Sequence, residues 1–103
     1  MYILNTTFVI SPRAAESLAG WIAESYLPEI SVLAASRPLF SRVLTVIDPE
    51  AESYSLQFLT PDLQLAEEWL QSNAPRLMQP MSQQWGESFL HFTTFMEILN
   101  DAD

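Results

Sequence analysis

The sequence has no cysteine and no lysine, and each absence removes a class of function. Without cysteine there can be no disulfide, no thiol nucleophile and no cysteine-ligated metal. The four basic residues are all arginine and stand against 13 acidic residues, which gives a formal net charge of −9. Because nucleic acids and anionic membranes are bound through basic side chains, we expect neither as a partner.

Glycine is also scarce, with two residues in 103, and no glycine-rich phosphate loop or dinucleotide fingerprint is present. No nucleophile elbow or metalloprotease helix occurs either, so the sequence predicts no cofactor and no metal site. No apolar run approaches the ~20 residues of a membrane-spanning helix. The start lacks the basic segment of a secretory leader, and a cytoplasmic location is therefore expected.

Apolar residues, by contrast, are abundant for so short a chain. They make up 49% of 103 residues, which is enough material for the core of one domain, expected over residues 1–99, with residues 100–103 as a frayed tail. A small domain has little interior in which to bury such a surplus. The excess favours an exposed apolar surface that serves as an interface or a ligand cleft.

Hydrophobic spacing and turn residues predict four strands and two helices. The strands are expected over residues 2–10, 38–48, 53–59 and 89–99. Ser11-Pro12 begins a helix that should end near Leu27, since proline disfavours helical geometry in the residue before it. Thr60-Pro61-Asp62 begins the second helix, which Pro75 should interrupt by a kink or break and Gly86 should terminate.

The element order β-α-β-β-α-β predicts an α+β, ferredoxin-like fold. Right-handed crossovers place both helices on one face of a four-stranded antiparallel sheet. The other face of the sheet then has no cover within a single chain, and a dimeric α/β-barrel arrangement is expected to follow from that.

Alternation along each strand predicts which side chains occupy the uncovered face. In the first and third strands the more polar of the two alternating sets, with Asn5 and Gln57, is assigned to the uncovered face. In the second strand the set that contains Arg42 is assigned to it. In the last strand we expect Leu90, Phe92, Thr94 and Met96 on the helix side. The candidate cleft or interface residues are Asn5, Thr7, Phe40, Arg42, Gln57, His91 and Phe95.

Two of these residues have a chemical interpretation beside a structural one. His91 is the only histidine; it is either a hydrogen-bonding structural residue or a general base or ligand contact, since histidine titrates near neutral pH. Arg42 could orient an anionic ligand or pair with an acidic residue across an interface. A lone histidine is weak evidence for a metal site, because such sites recruit several ligands.

Several segments resemble domain-of-unknown-function family 4286, a group of small bacterial proteins. They are the opening residues 1–7, the stretch Trp21-Ile22 to Tyr26-Leu27-Pro28-Glu29-Ile30, residues 54–58 and the ending 89–97. Tyr26 stands where the family's motif has histidine. The resemblance covers nearly the whole chain and implies a ferredoxin-like fold, but it implies no activity and no catalytic residue.

Three functions are compatible with this sequence. The first is a homodimeric module whose uncovered sheet faces pack together, without catalysis. The second is a cofactor-independent monooxygenase or isomerase of the dimeric α/β-barrel type, which rests on analogy of fold. The third is a regulatory subunit that senses a small hydrophobic or aromatic molecule.

Overall fold

The structure is a computed structural model that describes residues 1–46 and 48–100. The strands are β1 (Tyr2–Ile10), β2 (Leu39–Arg42), β3 (Glu52–Thr60) and β4 (Phe89–Glu97). The α-helices are α1 (Ala15–Trp21), α2 (Leu27–Ile30) and α3 (Leu63–Trp85). Most of the predicted tail, residues 101–103, lies outside the described residues, as does position 47 of the predicted second strand.

The four strands form one antiparallel sheet in the order β2-β3-β1-β4. Both neighbours of β1 run the length of that strand, with Tyr2 paired to Thr60 on one side and to Glu97 on the other. The connections from β1 to β2 and from β3 to β4 each cross one intervening strand of the sheet, and both contain the helices. This arrangement confirms the ferredoxin-like fold predicted from the element order.

Strands β1 and β3 bury every second residue, as their sequences predict. Leu4 and Phe8 are fully buried in β1, and Leu56 is fully buried in β3. The intervening residues are only half-buried, because the helices described pack against the other set. The buried set packs against the helices and forms the core.

The first helical segment, residues 12–33, is longer and less regular than predicted. A 3-10 turn (Pro12–Ala14) leads into α1, a π-helical turn (Ile22–Tyr26) links α1 to α2, and a 3-10 turn (Ser31–Leu33) ends the segment. Ser11 precedes it without a side-chain capping bond. The prediction that the helix ends near Leu27 is wrong.

The π-helical turn explains both the irregularity of this segment and its continuation beyond Leu27. Leu18, Ile22, Tyr26 and Ile30 are all fully buried and lie four residues apart, a spacing wider than the 3.6 residues of an α-helical turn. The wider turn keeps all four on the core side and leaves Ser25, which a regular helix would bury, exposed. Pro28 falls in the first turn of α2, where its missing N–H group costs little.

Strand β2 is shorter than predicted, at four residues rather than eleven. Beyond Arg42 the chain keeps one more bond to β3, from the Val43 amide to the Ser53 carbonyl at 2.9 Å. It then turns at Asp48, whose carboxylate accepts the Glu50 amide at 2.9 Å. Asp48 and Pro49 favour this turn over an extended strand, so the hairpin connection is longer than expected.

Helix α3 runs from Leu63 to Trp85 without the break expected at Pro75. Pro75 and Pro80 both lie on its exposed side, where each removes a backbone hydrogen bond without disturbing the packed side. The Asp62 carboxylate caps the start by accepting the Leu65 amide at 3.0 Å. Gly86 ends the helix at φ 54°, as predicted, a conformation that favours glycine.

Tyr26 lies at the centre of the core and is fully buried. Its ring stacks on Trp21 and meets Phe8 and Trp69 edge-on, with ring centroids 5.5–6.2 Å apart. Its hydroxyl has no hydrogen-bond partner among the described residues. Burial raises the pKa of this hydroxyl, because a phenolate would have no solvent around it.

Candidate functional site on the open sheet face

The register of β4 on β1 overturns the predicted orientation of the last strand. Phe8 pairs with His91 and Leu4 with Phe95, and residues paired directly across two antiparallel strands point to the same side of the sheet. Since Phe8 and Leu4 face the helices, His91 and Phe95 do too. The hydroxyls of Thr6 and Thr93, 2.9 Å apart on the helix side, fix the same register.

Strand β2 is also inverted relative to the prediction. Phe40 pairs with Leu56 and Arg42 with Tyr54, both of which face the helices. The Phe40 ring lies 5.6 Å from that of Tyr54, and the Arg42 guanidinium lies 5.9 Å from the centre of the same ring. The aromatic ring of Tyr54 therefore provides a cation–π partner for Arg42 on the covered side.

Of the seven candidate residues, the structure leaves Asn5, Thr7 and Gln57 on the uncovered side and puts the other four on the helix side. We call the uncovered side the open face. It comprises the outward-alternating residues of the four strands: Ile3, Asn5, Thr7, Val9, Leu39, Ser41, Ser53, Ser55, Gln57, Leu59, Leu90, Phe92, Thr94 and Met96. No residue of the open face is charged, although 17% of the chain is.

The centre of the open face is polar and internally hydrogen-bonded. The Asn5 side chain accepts a hydrogen bond from the Ser55 hydroxyl and donates one to the Thr7 hydroxyl at 3.3 Å. Gln57 stands beside Asn5 in the register. Asn5 is therefore held in place by its neighbours across two strands, with its polar atoms already partnered.

The margins of the open face are apolar and exposed. Leu39 on one edge strand, and Leu90, Phe92 and Met96 on the other, are exposed by 41–59%. These four are all of the exposed large apolar side chains that the strands carry, and each belongs to the open face. The sequence prediction missed the three on β4, because both alternating sets of that strand mix apolar and polar residues.

The open face offers no acid–base chemistry, because none of its side chains titrates near neutral pH. His91, the side chain best suited to that chemistry, lies on the helix side, where partial burial lowers its pKa below the usual value. No cluster of three or more histidine and carboxylate ligands suited to a metal occurs within residues 1–46 and 48–100. None of the helices described is both long and apolar enough to cross a membrane.

Solved structures share this fold at low sequence identity. A dimeric ferredoxin-like protein from an uncultured marine organism is 13% identical, with a TM-score of 0.67 over 100% of this chain and 99% of that one. HapK from Hahella chejuensis is 12% identical, with a TM-score of 0.65 over 100% and 97% of the two chains. A second dimeric ferredoxin-like protein of marine origin is 11% identical, with a TM-score of 0.53 over 98% of each chain.

These similarities define the class: the chain is a ferredoxin-like α+β domain with a four-stranded antiparallel sheet. Residues 1–99 match the family described as "Domain of unknown function (DUF4286)", and the chain belongs to that family. The resemblance expected from the sequence motifs is thereby confirmed. No curated protein matches the chain at a significant level.

Proposed function

We propose that the protein is a homodimeric module in which the open faces of two copies pack against each other, sheet on sheet, in a dimeric α/β-barrel-like assembly. The observation that carries this proposal is the composition of the open face. It holds no charged residue in a chain of net charge −9, and it carries every large apolar strand side chain that is exposed.

The neutrality of the open face favours a second copy over other occupants. Two chains of charge −9 repel each other, and a symmetric contact brings identical surfaces together. Acidic residues on the open face would therefore oppose one another across the contact. The acidic residues that the structure describes lie on the helices, the turns and the helix side of the sheet, which removes that repulsion where two open faces would meet.

The size of the open face also fits a dimer. Three strands of nine residues and one of four, at ~3.3 Å per residue and ~4.8 Å per strand, cover about 490 Å² in projection. Side-chain relief makes the accessible area larger than this projection. The open face is therefore of the same order as the ~800 Å² per partner of a standard stable interface.

The hydrogen-bonded part of the polar centre, Asn5 with Ser55 and Thr7, is compatible with burial under a partner. Asn5 already exchanges hydrogen bonds with Ser55 and Thr7, so these side chains keep a hydrogen-bond partner when a second copy covers them. The apolar margins, including Leu39 and Leu90, supply the surface whose removal from water drives association. Two of the structural neighbours are themselves described as dimeric, which supports the same arrangement here.

The test is the molar mass in solution, measured by light scattering at micromolar concentration, for the wild type and a matched pair of variants. Leu90→Lys places a charge on the open face, and Leu65→Lys makes the same change on α3. The two leucines are 59% and 53% exposed, so neither substitution removes a core residue. We expect the wild type and Leu65→Lys to have twice the 11.7 kDa chain mass.

Leu90→Lys is expected to dissociate. Complete burial of a leucine contributes about 1.5–3 kcal/mol. Leu90 is 59% exposed in the single chain, so more than half of this contribution would come from a partner that covers it. A symmetric interface carries the change twice, so the Kd should rise by about 20-fold or more. A monomeric wild type, or equal dissociation of the two variants, would refute the proposed interface.

A further inference from the structure

A groove between α3 and β4 lies on the helix side of the sheet, and Phe92 is the one residue of the open face in its lining. It has a volume of ≈ 580 Å³. Leu70, Ala74 and Met78 on α3 form an apolar wall, and His91 and Thr93 on β4 form the floor. Sites for small molecules typically have volumes of about 300–1,000 Å³, so the groove is large enough for one.

The helix side of β4 is unevenly buried, and the groove lies at an exposed part of it. Phe89 is buried beneath the helical layer and Phe95 is half-buried, whereas His91 between them is exposed. On α3, Ala74 lies between Leu70 and Met78 in the lining, and its side chain is a single methyl group. A vacant space therefore lies between a helix and a strand that are both fixed by the core.

The floor of the groove holds one hydrogen-bonding side chain that is free to bind a ligand. The Thr93 hydroxyl is engaged by Thr6 at 2.9 Å. The His91 ring packs against Phe89 with centroids 5.4 Å apart. A neutral imidazole can both donate and accept a hydrogen bond.

The charge of the surroundings restricts the class of ligand. None of the residues that line the groove is charged, so an ionic ligand would find no counter-charge there. An anion would in addition be repelled by the net charge of −9. A neutral molecule with an aromatic or aliphatic ring and one polar group meets neither obstacle.

We propose that the groove between α3 and β4 binds a small, neutral, ring-containing molecule, with its apolar part against Leu70, Ala74 and Met78 and its polar group on His91. His91, Thr93 and the α3 residues of the site lie on the opposite side of the sheet from the proposed dimer contact, and the two sites share Phe92 alone. The two proposals can therefore fail separately.

The test uses the neutral fluorescent probe N-phenyl-1-naphthylamine, which has two aromatic parts and one N–H donor. A pair of variants localises its binding: Ser82→Phe, which fills the groove, and Gln83→Phe, which adds the same ring to the next residue of α3. Both positions are exposed, and only Ser82 lines the groove. Thermal melts establish that both variants are folded.

We expect saturable binding of one probe per chain in the wild type and in Gln83→Phe, and loss of saturable binding in Ser82→Phe. His91→Phe keeps the ring but removes the acceptor, and should weaken binding by about fivefold to tenfold, the contribution of one hydrogen bond. Leu90→Lys should bind as the wild type does. The anionic analogue 1-anilinonaphthalene-8-sulfonate should bind more weakly than the neutral probe.

Three results would overturn the proposal. The first is no saturable binding up to the solubility limit of the probe, or equal binding by Ser82→Phe and Gln83→Phe. The second is tighter binding of the sulfonate than of the neutral probe. The third is loss of binding in Leu90→Lys, which would assign the probe to the open face or to the dimer.

Discussion

Replacing Tyr26 with phenylalanine should stabilise the protein, although it deletes a polar atom from the core. The Tyr26 hydroxyl is fully buried and has no hydrogen-bond partner among the described residues. A buried polar group without a partner costs about 1–3 kcal/mol of desolvation, while the phenylalanine ring keeps the contacts with Phe8, Trp21 and Trp69. We therefore expect the free energy of unfolding to rise by about 1 kcal/mol or more.

The assay is thermal or urea unfolding followed by circular dichroism, with Tyr54→Phe as the matched control. A gain of 1 kcal/mol corresponds to a Tm increase of roughly 4–8 °C for a domain of this size. The Tyr54 hydroxyl donates to the Ala15 carbonyl or to the Glu52 carboxylate, at 3.4 and 3.2 Å, so its removal should cost about 0.5–1.5 kcal/mol. If both variants lose stability equally, the Tyr26 hydroxyl has a partner and the reasoning is wrong.

Two further changes test the helical layer and its groove. Pro80→Ala should raise the Tm, because proline inside a helix costs about 3 kcal/mol relative to alanine and Pro80 lies on the exposed side of α3; an unchanged or lower Tm would contradict this. Partial burial lowers the pKa of His91 in the folded protein from the usual 6.5. Between these two pKa values the unfolded chain binds a proton that the folded protein does not, so stability falls as the pH drops. NMR titration should show the lowered pKa of His91. The variant His91→Asn should lose less stability than the wild type as the pH falls below 6.5, and an equal loss in both proteins would refute this role of His91.

The topology could be predicted from sequence because its signals are local. The alternation of Tyr54, Leu56 and Phe58 indicated a strand, and Gly86 indicated a helix end, and both are where the structure has them. The π-helical turn left only a weak signal, the four-residue spacing that runs from Leu18 to Ile30. The competing signal at Pro28 was local and stronger, and it led to the wrong helix end.

Which side of the sheet each edge strand presents could not be predicted in the same way. In β4, Leu90 and Phe92 are as apolar as Phe89 and Phe95, so the strand alone does not distinguish its two sides. The orientation is set by long-range pairing with β1, such as that of Thr6 with Thr93. This is why the candidate site kept its β1 and β3 residues and lost those on β2 and β4.

The most direct test of the paired open faces uses the absence of cysteine, which makes any introduced thiol unique. Thr94→Cys places it on the open face and Ser72→Cys on the exposed side of α3; both native side chains are exposed. The rate of maleimide labelling is measured above and below the concentration at which the dimer forms. We predict that only the thiol at position 94 becomes protected as concentration rises. Equal labelling of the two thiols at every concentration would contradict the proposed dimer.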